Sequence, residues 1–286
     1  MILPATPSLL SIVQIVAQQA TTTNNPYLGE LDQLLPQNLT PPQFNNRVRT
    51  IHKSRTPIVA NKVDLVRLHT LVNALNCFTV LEFGCGYSTT VLAAALQTNQ
   101  AKSELHLLAD ASRHEHPFRV HSVDASRRFI RHTKRLLRSN NLNNASVSYS
   151  ACRTSQFART GGVCSQFVKI PNITPDLIYI DAPALHQVRG SVNGLSFNNH
   201  SRSPVSSDLV IMEPLLRPGT VVVLDGQTAT VRALLQNLSR NWGYAYCSKT
   251  DGHYLELLEL PLGDVHAQVL SMQRGKMWVS EVEALT

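Results

Sequence analysis

Acidic side chains stand at the ends of four apolar segments of this 286-residue chain. Glu82 lies in TVLEF, and Asp124, Asp181 and Asp225 end the segments RVHSVD, DLIYID and TVVVLD. A single aspartate is common after a strand, where it forms turns or caps helices. In an open parallel sheet, however, ligands bind outside the carboxyl ends of the strands. Four acids in this position, with a glycine turn after the first, predict a ligand-binding site.

The glycine turn after the first segment allows the backbone to approach a ligand closely. Gly84 and Gly86 carry no side chain, so the chain can turn sharply there. Ser88 begins a predicted helix whose N–H groups, at the positive end of the helix dipole, suit a carboxylate. Asp124 can accept two hydrogen bonds from vicinal hydroxyls, and charge-assisted bonds of this kind are the stronger ones. The site is therefore expected to hold both a carboxylate and vicinal hydroxyls.

Alternating helices and strands position these residues. Predicted strands cover 79–83, 119–124, 147–151, 176–181, 220–225, 244–248 and 253–260, and predicted helices cover 61–76, 88–96, 126–139 and 229–241. Strands that are apolar on both faces are typical of a parallel sheet covered by helices on both sides. The expected fold is an α/β three-layer sandwich, with a seven-stranded, mostly parallel sheet and an antiparallel last strand. Residues 99–118, polar and rich in histidine, are expected to form a surface insertion.

The order of these motifs resembles that of the class I S-adenosylmethionine (SAM)-dependent methyltransferases. EFGCGYS at 82–88 is similar to the first, glycine-rich motif of that family, and Val123-Asp124 is similar to the second. The strands that end at Asp181 and Asp225 are similar to the fourth and fifth strands, and an antiparallel last pair is also a family trait. The resemblance covers about residues 61–260 and implies a Rossmann-like methyltransferase fold.

The resemblance also implies SAM as the cofactor and S-adenosylhomocysteine (SAH) as the product. In that family the acid at the place of Glu82 supports the methionine ammonium, and the acid at the place of Asp124 binds the ribose hydroxyls. The implied cofactor-binding residues are Glu82, Phe83, Gly84, Cys85, Gly86, Tyr87, Ser88, Asp124, Ala125 and Asp181.

The sequence departs from the family in two places. About 40 residues separate the glycine turn from Asp124, about twice the spacing of a dinucleotide-binding fingerprint, and the insertion at 99–118 explains the difference. The third strand is followed by ACRTS, without the aspartate that often contacts the adenine amino group. The adenine contact is therefore unassigned.

The methyl acceptor is expected to lie over Asp181, because a long polar loop leads from there to Asp208. Asp181 and His186 are the predicted catalytic residues, with His186 as general base, since an imidazole titrates near neutral pH. A surface histidine is the alternative for His186. Arg189 and Arg202 either hold a phosphate or carboxylate or are solvent-exposed loop charges. We expect this loop to be the most mobile part of the domain and to close over the acceptor as a lid.

Asp181 and Asp225 also match, in position, two metal-binding carboxylates of the catechol-type O-methyltransferases. In those enzymes an asparagine follows the second acid and a lysine lies three residues after the first. Here these places hold Gly226 and Ala184, so a divalent ion would lack one oxygen ligand. Metal dependence is therefore not favoured, and no metal ligand is assigned.

The function favoured is SAM-dependent O-methylation of a small polar acceptor, such as a sugar or a natural-product intermediate, and the acceptor is either neutral or anionic. A nucleic-acid substrate is the main alternative, because a predicted helix carries a basic row, namely Arg127, Arg128, Arg131, Lys134, Arg135 and Arg138. A non-catalytic methyltransferase-like module is a further alternative. A dinucleotide oxidoreductase is disfavoured, because the chain has no Y-x-x-x-K pair.

Composition sets the wider expectations. Three segments are predicted: a loop-rich or helical N-terminal extension (1–60), a SAM-binding domain (61–262) and a C-terminal tail (263–286). Residues 8–17 are apolar, but the first basic residue is Arg47, which argues against a secretory signal. Five scattered cysteines without a C-x-x-C pair fit a reducing cytoplasm. The net charge of +7 favours an anionic partner, no apolar run predicts a membrane span, and a homodimer is left open.

Overall fold

A central sheet of eight strands organises the chain, of which the computed structural model describes residues 2–21, 31, 34, 62–111, 115–181, 183–197 and 205–286. Its strands are β1 (Ile2–Pro4), β2 (Thr79–Phe83), β3 (Arg119–Asp124), β4 (Ala145–Tyr149), β7 (Leu177–Ile180), β9 (Val221–Asp225), β10 (Trp242–Cys247) and β11 (Gly252–Leu257). They lie in the order β1-β10-β11-β9-β7-β2-β3-β4. A second sheet has the order β6-β5-β8 and consists of β5 (Cys152–Gln156), β6 (Val163–Phe167) and β8 (Val188–Arg189).

The main sheet confirms the predicted fold class. Every pair of neighbouring strands is parallel except those that involve β11, which runs antiparallel to both β9 and β10. The eighth strand, β1, was not predicted. It pairs in parallel with β10, with Ile2 opposite Trp242. Three residues are too few to show a hydrophobic alternation, so this strand depends on a partner far away in the sequence.

Helices cover both faces of the sheet. They are α1 (Pro7–Thr21), α2 (Lys62–Ala74), α3 (Tyr87–Gln100), α4 (Ser103–Ala111), α5 (Arg127–Ser139), α6 (Asp208–Met212), α7 (Thr228–Asn237), α8 (Asp264–Arg274) and α9 (Trp278–Leu285). Val80 packs with apolar residues of α1, α2, α3 and α5, whereas its neighbour Leu81 packs with those of α6 and α7. Because successive strand residues point to opposite faces, both must be apolar here, as the sequence indicated. None of the helices in the described ranges is long and apolar enough to cross a bilayer.

The expected surface insertion at 99–118 is only partly a loop. Its middle forms α4, whose Leu105 and Ala109 are buried against Phe78 and Phe118. These apolar positions lie four residues apart and so share one helix face. Because the segment as a whole is polar, its composition did not indicate this apolar helix face. Residues 99–118 still lie between the glycine turn and Asp124, as predicted, and account for the long spacing.

The segment after Asp181 also has more structure than the predicted loop. Val188 and Arg189 form β8, which pairs in parallel with β5, and Phe197 is buried in the core. His200 and Arg202 lie outside the described residues, as do residues 22–30 and 35–61 of the predicted N-terminal arm. The described part of the segment is therefore held by a small sheet at this side of the molecule.

Both ends of the chain are joined to the main sheet by one buried carboxylate. Glu256 of β11 accepts a hydrogen bond from Thr6 Oγ1 at 2.7 Å and one from Trp278 Nε1 at 2.8 Å. Arg274 Nε lies 3.3 Å from the same carboxylate, and both side chains are fully buried. The predicted extension and tail therefore share a core with the central segment over their described residues.

We expect Glu256→Ala to lower the free energy of unfolding by about 3–5 kcal/mol, because it leaves the buried guanidinium of Arg274 without its counter-charge. Chemical denaturation measures the loss. Glu283→Ala is the control, since Glu283 is exposed on α9. Equal stabilities of the two variants would contradict the role given to Glu256.

Candidate active site

A buried carboxylate lies at the carboxyl end of β2. Glu82 accepts hydrogen bonds from three hydroxyls: Ser88 Oγ, Thr89 Oγ1 at 2.5 Å and Ser122 Oγ at 2.6 Å. Burial raises the pKa of Glu82 to about 7, although the three hydroxyls oppose the rise. Two of these hydroxyls belong to the first turn of α3 and one to β3. Glu82 therefore fixes the glycine turn relative to both elements.

The glycine turn passes directly over the end of β7. Gly84 has φ +111°, and a Cβ there would lie 2.9 Å from the carbonyl oxygen of Asp181. A side chain at this position would be strained and would also collide with backbone. Gly86 is different, because a Cβ there would meet no atom within 4 Å. The turn therefore packs tightly against the sheet at Gly84, whereas the space beside Gly86, where α3 begins, is open.

Asp124 links the second predicted motif to the first. Its Oδ2 accepts the backbone N–H of Cys85 at 3.0 Å, and its Oδ1 accepts that of Ser126 at 2.5 Å. Burial raises the pKa of Asp124 to about 6, against these hydrogen bonds. A carboxylate has four lone-pair sites, and the Cys85 thiol also donates to Asp124, so one site remains for a further donor. The glycine turn and Asp124 therefore lie together, as predicted, despite the long spacing across 99–118.

Asp181 completes the cluster of acids at this edge. Its backbone N–H donates to the carbonyl oxygen of Phe83 at 2.8 Å, directly beside the glycine turn. Solvent reaches Asp181, yet the surrounding protein desolvates it and raises its pKa to about 6. The carboxylates of Asp124 and Asp64 add to this rise. A group that is both accessible and desolvated is typical of the floor of a cleft.

The other predicted cofactor residues lie at the same edge and act through backbone or packing. Phe83 is buried and stacks on Phe167 with ring centroids 5.8 Å apart. Tyr87 begins α3 and meets the ring of His132 edge-on at 5.8 Å. Ala125 is half-buried against the core on the α6 and α7 side. Their side chains therefore pack beside the glycine turn, and their roles toward a cofactor remain predictions.

His186 and Arg189 follow Asp181 on the same segment. His186 is exposed in a short 3₁₀ turn, Leu185–Gln187, and Arg189 is exposed on β8. Neither is enclosed within the described residues. Their roles toward an acceptor remain predictions.

The metal site of the catechol-type enzymes does not fit this chain. Asp225 Oδ1 forms an ion pair with Arg67 of α2, and Asp225 Oδ2 accepts the hydroxyl of Tyr179 at 2.7 Å. The carboxylate that would have to bind a cation is therefore already engaged by one. Across the described ranges, no group of three or more His, Cys, Asp and Glu side chains is arranged to hold a metal ion.

Sequence reasoning missed Arg67, Tyr179 and the hydroxyls on Glu82. Thr89 follows the first motif directly, and its place one turn into a helix after a buried acid was a usable signal. Arg67 gave no such signal, because it lies within an otherwise amphipathic helix and meets Asp225 only in the folded chain.

A polar cavity of about 250 Å³ lies at the opposite edge of the sheet, lined by residues that include Thr79, His116, Asn172 and Arg217. Thr79 is the first residue of β2, so this cavity is at the amino ends of the strands. It contains none of the acids that end the strands. The candidate active site is therefore the carboxyl edge.

Comparison with known proteins shows which family and which solved structures this chain is similar to. A family model described as "Methyltransferase domain" matches residues 81–226, whereas no curated protein matches the chain. The Podospora anserina methyltransferase PaMTH1, solved with SAH, is similar to this chain at 10% identity and a TM-score of 0.48, over 91% of this chain and 99% of its own.

Two bacterial structures are similar as well. A putative caffeoyl-CoA O-methyltransferase from Staphylococcus aureus has 15% identity and a TM-score of 0.43, over 81% of this chain and 97% of its own. An O-methyltransferase from Bacillus cereus in complex with SAH has 16% identity and a TM-score of 0.41, over 87% and 97%. The family model covers just over half of the chain and every strand end from Glu82 to Asp225, and the chain therefore belongs to the methyltransferase-domain family.

Proposed function

We propose that this methyltransferase uses SAM to methylate a hydroxyl oxygen of a small polar acceptor, such as a sugar or a natural-product intermediate. The observation that carries the proposal is the edge where Glu82, Asp124 and Asp181 surround the glycine turn, each with a raised pKa. A cationic ligand stabilises the ionised form of desolvated carboxylates. SAM carries an ammonium and a sulfonium, so its charge is complementary to this edge.

The residues present fit SAM as a whole. Asp124 keeps one free acceptor site for a ribose hydroxyl. The open space beside Gly86 leaves room for the methionine carboxylate at the start of α3, where helix N–H groups attract an anion. Glu82 supports the ammonium from beneath the turn. The space beside Asp181 remains for the transferring methyl group and the acceptor.

SAM bound at this edge would supply a methyl group on a sulfonium, from which the acceptor oxygen would displace SAH as the leaving group. Asp181 orients the acceptor hydroxyl, and His186 takes its proton. The main contribution of the chain is alignment of the two reactants, which provides about 7–11 kcal/mol in well-oriented systems. An anionic group on the acceptor would meet Arg189 at the side of the cleft.

A nucleic-acid acceptor is the second candidate, because the six cations of α5 are all exposed and have no ion pair among the described residues. These six residues account for most of the positive net charge, because without them the chain would have 20 basic residues instead of 26, against 19 acidic ones. A panel of single-stranded and duplex oligonucleotides, compared with sugars and phenols, distinguishes the candidates by release of SAH. Turnover on oligonucleotides alone would replace the first candidate, and no turnover on either class would favour a non-catalytic module.

Binding of SAM is tested by thermal unfolding. SAM or SAH at 100 times its dissociation constant should stabilise the protein by about 2.7 kcal/mol. Asp124→Ala and the milder Asp124→Asn should bind SAM more weakly, because the ribose loses its acceptor. Asp110→Ala, on the exposed face of α4, is the control. If NAD or NADP shifts the unfolding temperature while SAM and SAH do not, the cofactor assignment is wrong.

Stability should depend on pH through Glu82. Its pKa is about 7 in the folded protein and 4.5 for an unperturbed glutamate, so its contribution to stability is largest below pH 4.5 and is lost as the pH rises through 7. Glu82→Gln removes this dependence. Between pH 5 and pH 8, the advantage in unfolding free energy of the wild type over this variant should fall by about 2 kcal/mol. Glu104→Gln, on exposed α4, should show no such trend, and parallel curves for wild type and Glu82→Gln would contradict the prediction.

Replacement of the proposed base should affect turnover rather than cofactor binding. With an acceptor identified from the panel, His186→Ala should lower kcat about 10²-fold or more, since general-base catalysis contributes about 10²–10⁴. Its affinity for SAM should stay that of the wild type, because His186 faces the acceptor. His106→Ala, an exposed histidine on α4, serves as the control. Unchanged kcat in His186→Ala would remove this residue as the base.

A further inference from the structure

Arg67 is a fully buried cation at the carboxyl edge of the sheet. It projects from α2 and forms an ion pair with Asp225, the last residue of β9. The second oxygen of Asp225 accepts the hydroxyl of Tyr179, which is itself almost fully buried. Both oxygens of this carboxylate are therefore engaged, one by a charge and one by a neutral donor.

Besides Asp225, three residues lie close to the guanidinium of Arg67. The ring of Tyr254 faces it, with Cζ 6.0 Å from the ring centroid, and Asp64 approaches it to 4.0 Å one turn earlier on α2. At Gly252, a Cβ would lie 2.2 Å from Arg67 Nη1. Only a residue without a side chain leaves the necessary space, so the hairpin between β10 and β11 also accommodates this cation.

A buried ion pair of this kind excludes a second cation. Each partner is held by the charge of the other, because an unpaired charge in the interior is strongly destabilising. A divalent ion at Asp225 would have to displace the guanidinium or stand beside it, and repulsion in a medium of low dielectric opposes both. The position of Asp225 is the one that carries the second metal-binding carboxylate in the catechol-type enzymes.

We propose that Arg67 is a built-in counter-ion at this position and that methyl transfer by this chain requires no divalent metal. Arg67 is a positioning residue, which acts through Asp225 by neutralising it and holding it in the wall beside the cleft. Asp181 then remains available to the acceptor rather than to a cation. The inference rests on the proposed methyltransferase function, and a parallel measurement of the SAM-induced shift in unfolding temperature tells the failure of one from the failure of the other.

The first experiment measures metal binding by the full-length protein. Wild type is titrated with MgCl₂ and with MnCl₂ by calorimetry, and its unfolding temperature is compared in millimolar MnCl₂ and in EDTA. We expect no saturable binding and the same unfolding temperature in both. Saturable binding that is lost in Asp225→Asn would overturn the proposal. The SAM-induced shift should be equal with and without EDTA.

The second experiment tests whether Arg67 is the reason. Arg67→Met leaves Asp225 unpaired, so its unfolding temperature should fall by about 10 °C, and MnCl₂ should now restore part of the loss. Arg67→Lys keeps a cation and should remain insensitive to MnCl₂. Arg232→Met, an exposed cation on α7, is the control and should match the wild type.

A double variant keeps the test valid if Arg67→Met folds poorly. Arg67→Met combined with Asp225→Leu removes both charges and should lose less stability than the two single changes added together. It should also lose the response to MnCl₂. Additive losses, or an Arg67→Met variant that shows no response to MnCl₂ while still binding SAM, would overturn the assignment to Arg67.

Discussion

The carboxylate of Glu82, buried beneath the glycine turn, is the constraint on which the site depends. It has no contact with solvent, so its oxygens must be satisfied by the protein, and three hydroxyls from two other elements satisfy them. Removal of any of these hydroxyls would take a hydrogen bond from the buried carboxylate and so destabilise the folded protein. The start of α3 and the middle of β3 are therefore held in place by hydrogen bonds to one side chain. The backbone that faces the ligand follows from this placement, because Gly84 to Gly86 connect the acid to the helix.

The carboxyl edge of the sheet brings several desolvated carboxylates together. Desolvation raises the pKa of Asp124 and Asp181 as well as that of Glu82, which means that the folded chain holds these groups at a cost in free energy. Asp225, at the same edge, is the exception, since Arg67 neutralises it. One acid is thus compensated by a cation within the chain, whereas the other three have no ion pair within the described residues. This difference between the four acids is clear in the structure, although their sequence positions are similar.

Most of the sheet was predictable, because its strands carry their own signal. The segments TVLEF and VVVLD are apolar on both faces and lie between turn residues, and both form parallel strands at the predicted positions. The acids at the strand ends were predictable for the same reason. The small sheet was not, since β5 and β8 are polar and short and depend on each other across some 35 residues. The ion pair of Arg67 and Asp225 could not be predicted either, because it is a contact between elements that are distant in the sequence.

The pairing of β1 with β10 has a consequence for how the chain folds during synthesis. Thr6 and Glu256, which bond to each other, are 250 positions apart, so this contact forms only after β11 has been made. Contacts of such sequence separation slow folding, because the entropy of closing the loop is lost before the contact forms. Until β10 has been made, α1 has its apolar face but not the strand beside it, and a chain without β1 leaves that edge of β10 unpaired. Unpaired edges of this kind recruit other chains. β1 therefore covers one edge of the sheet, and it can do so only after β10 has formed.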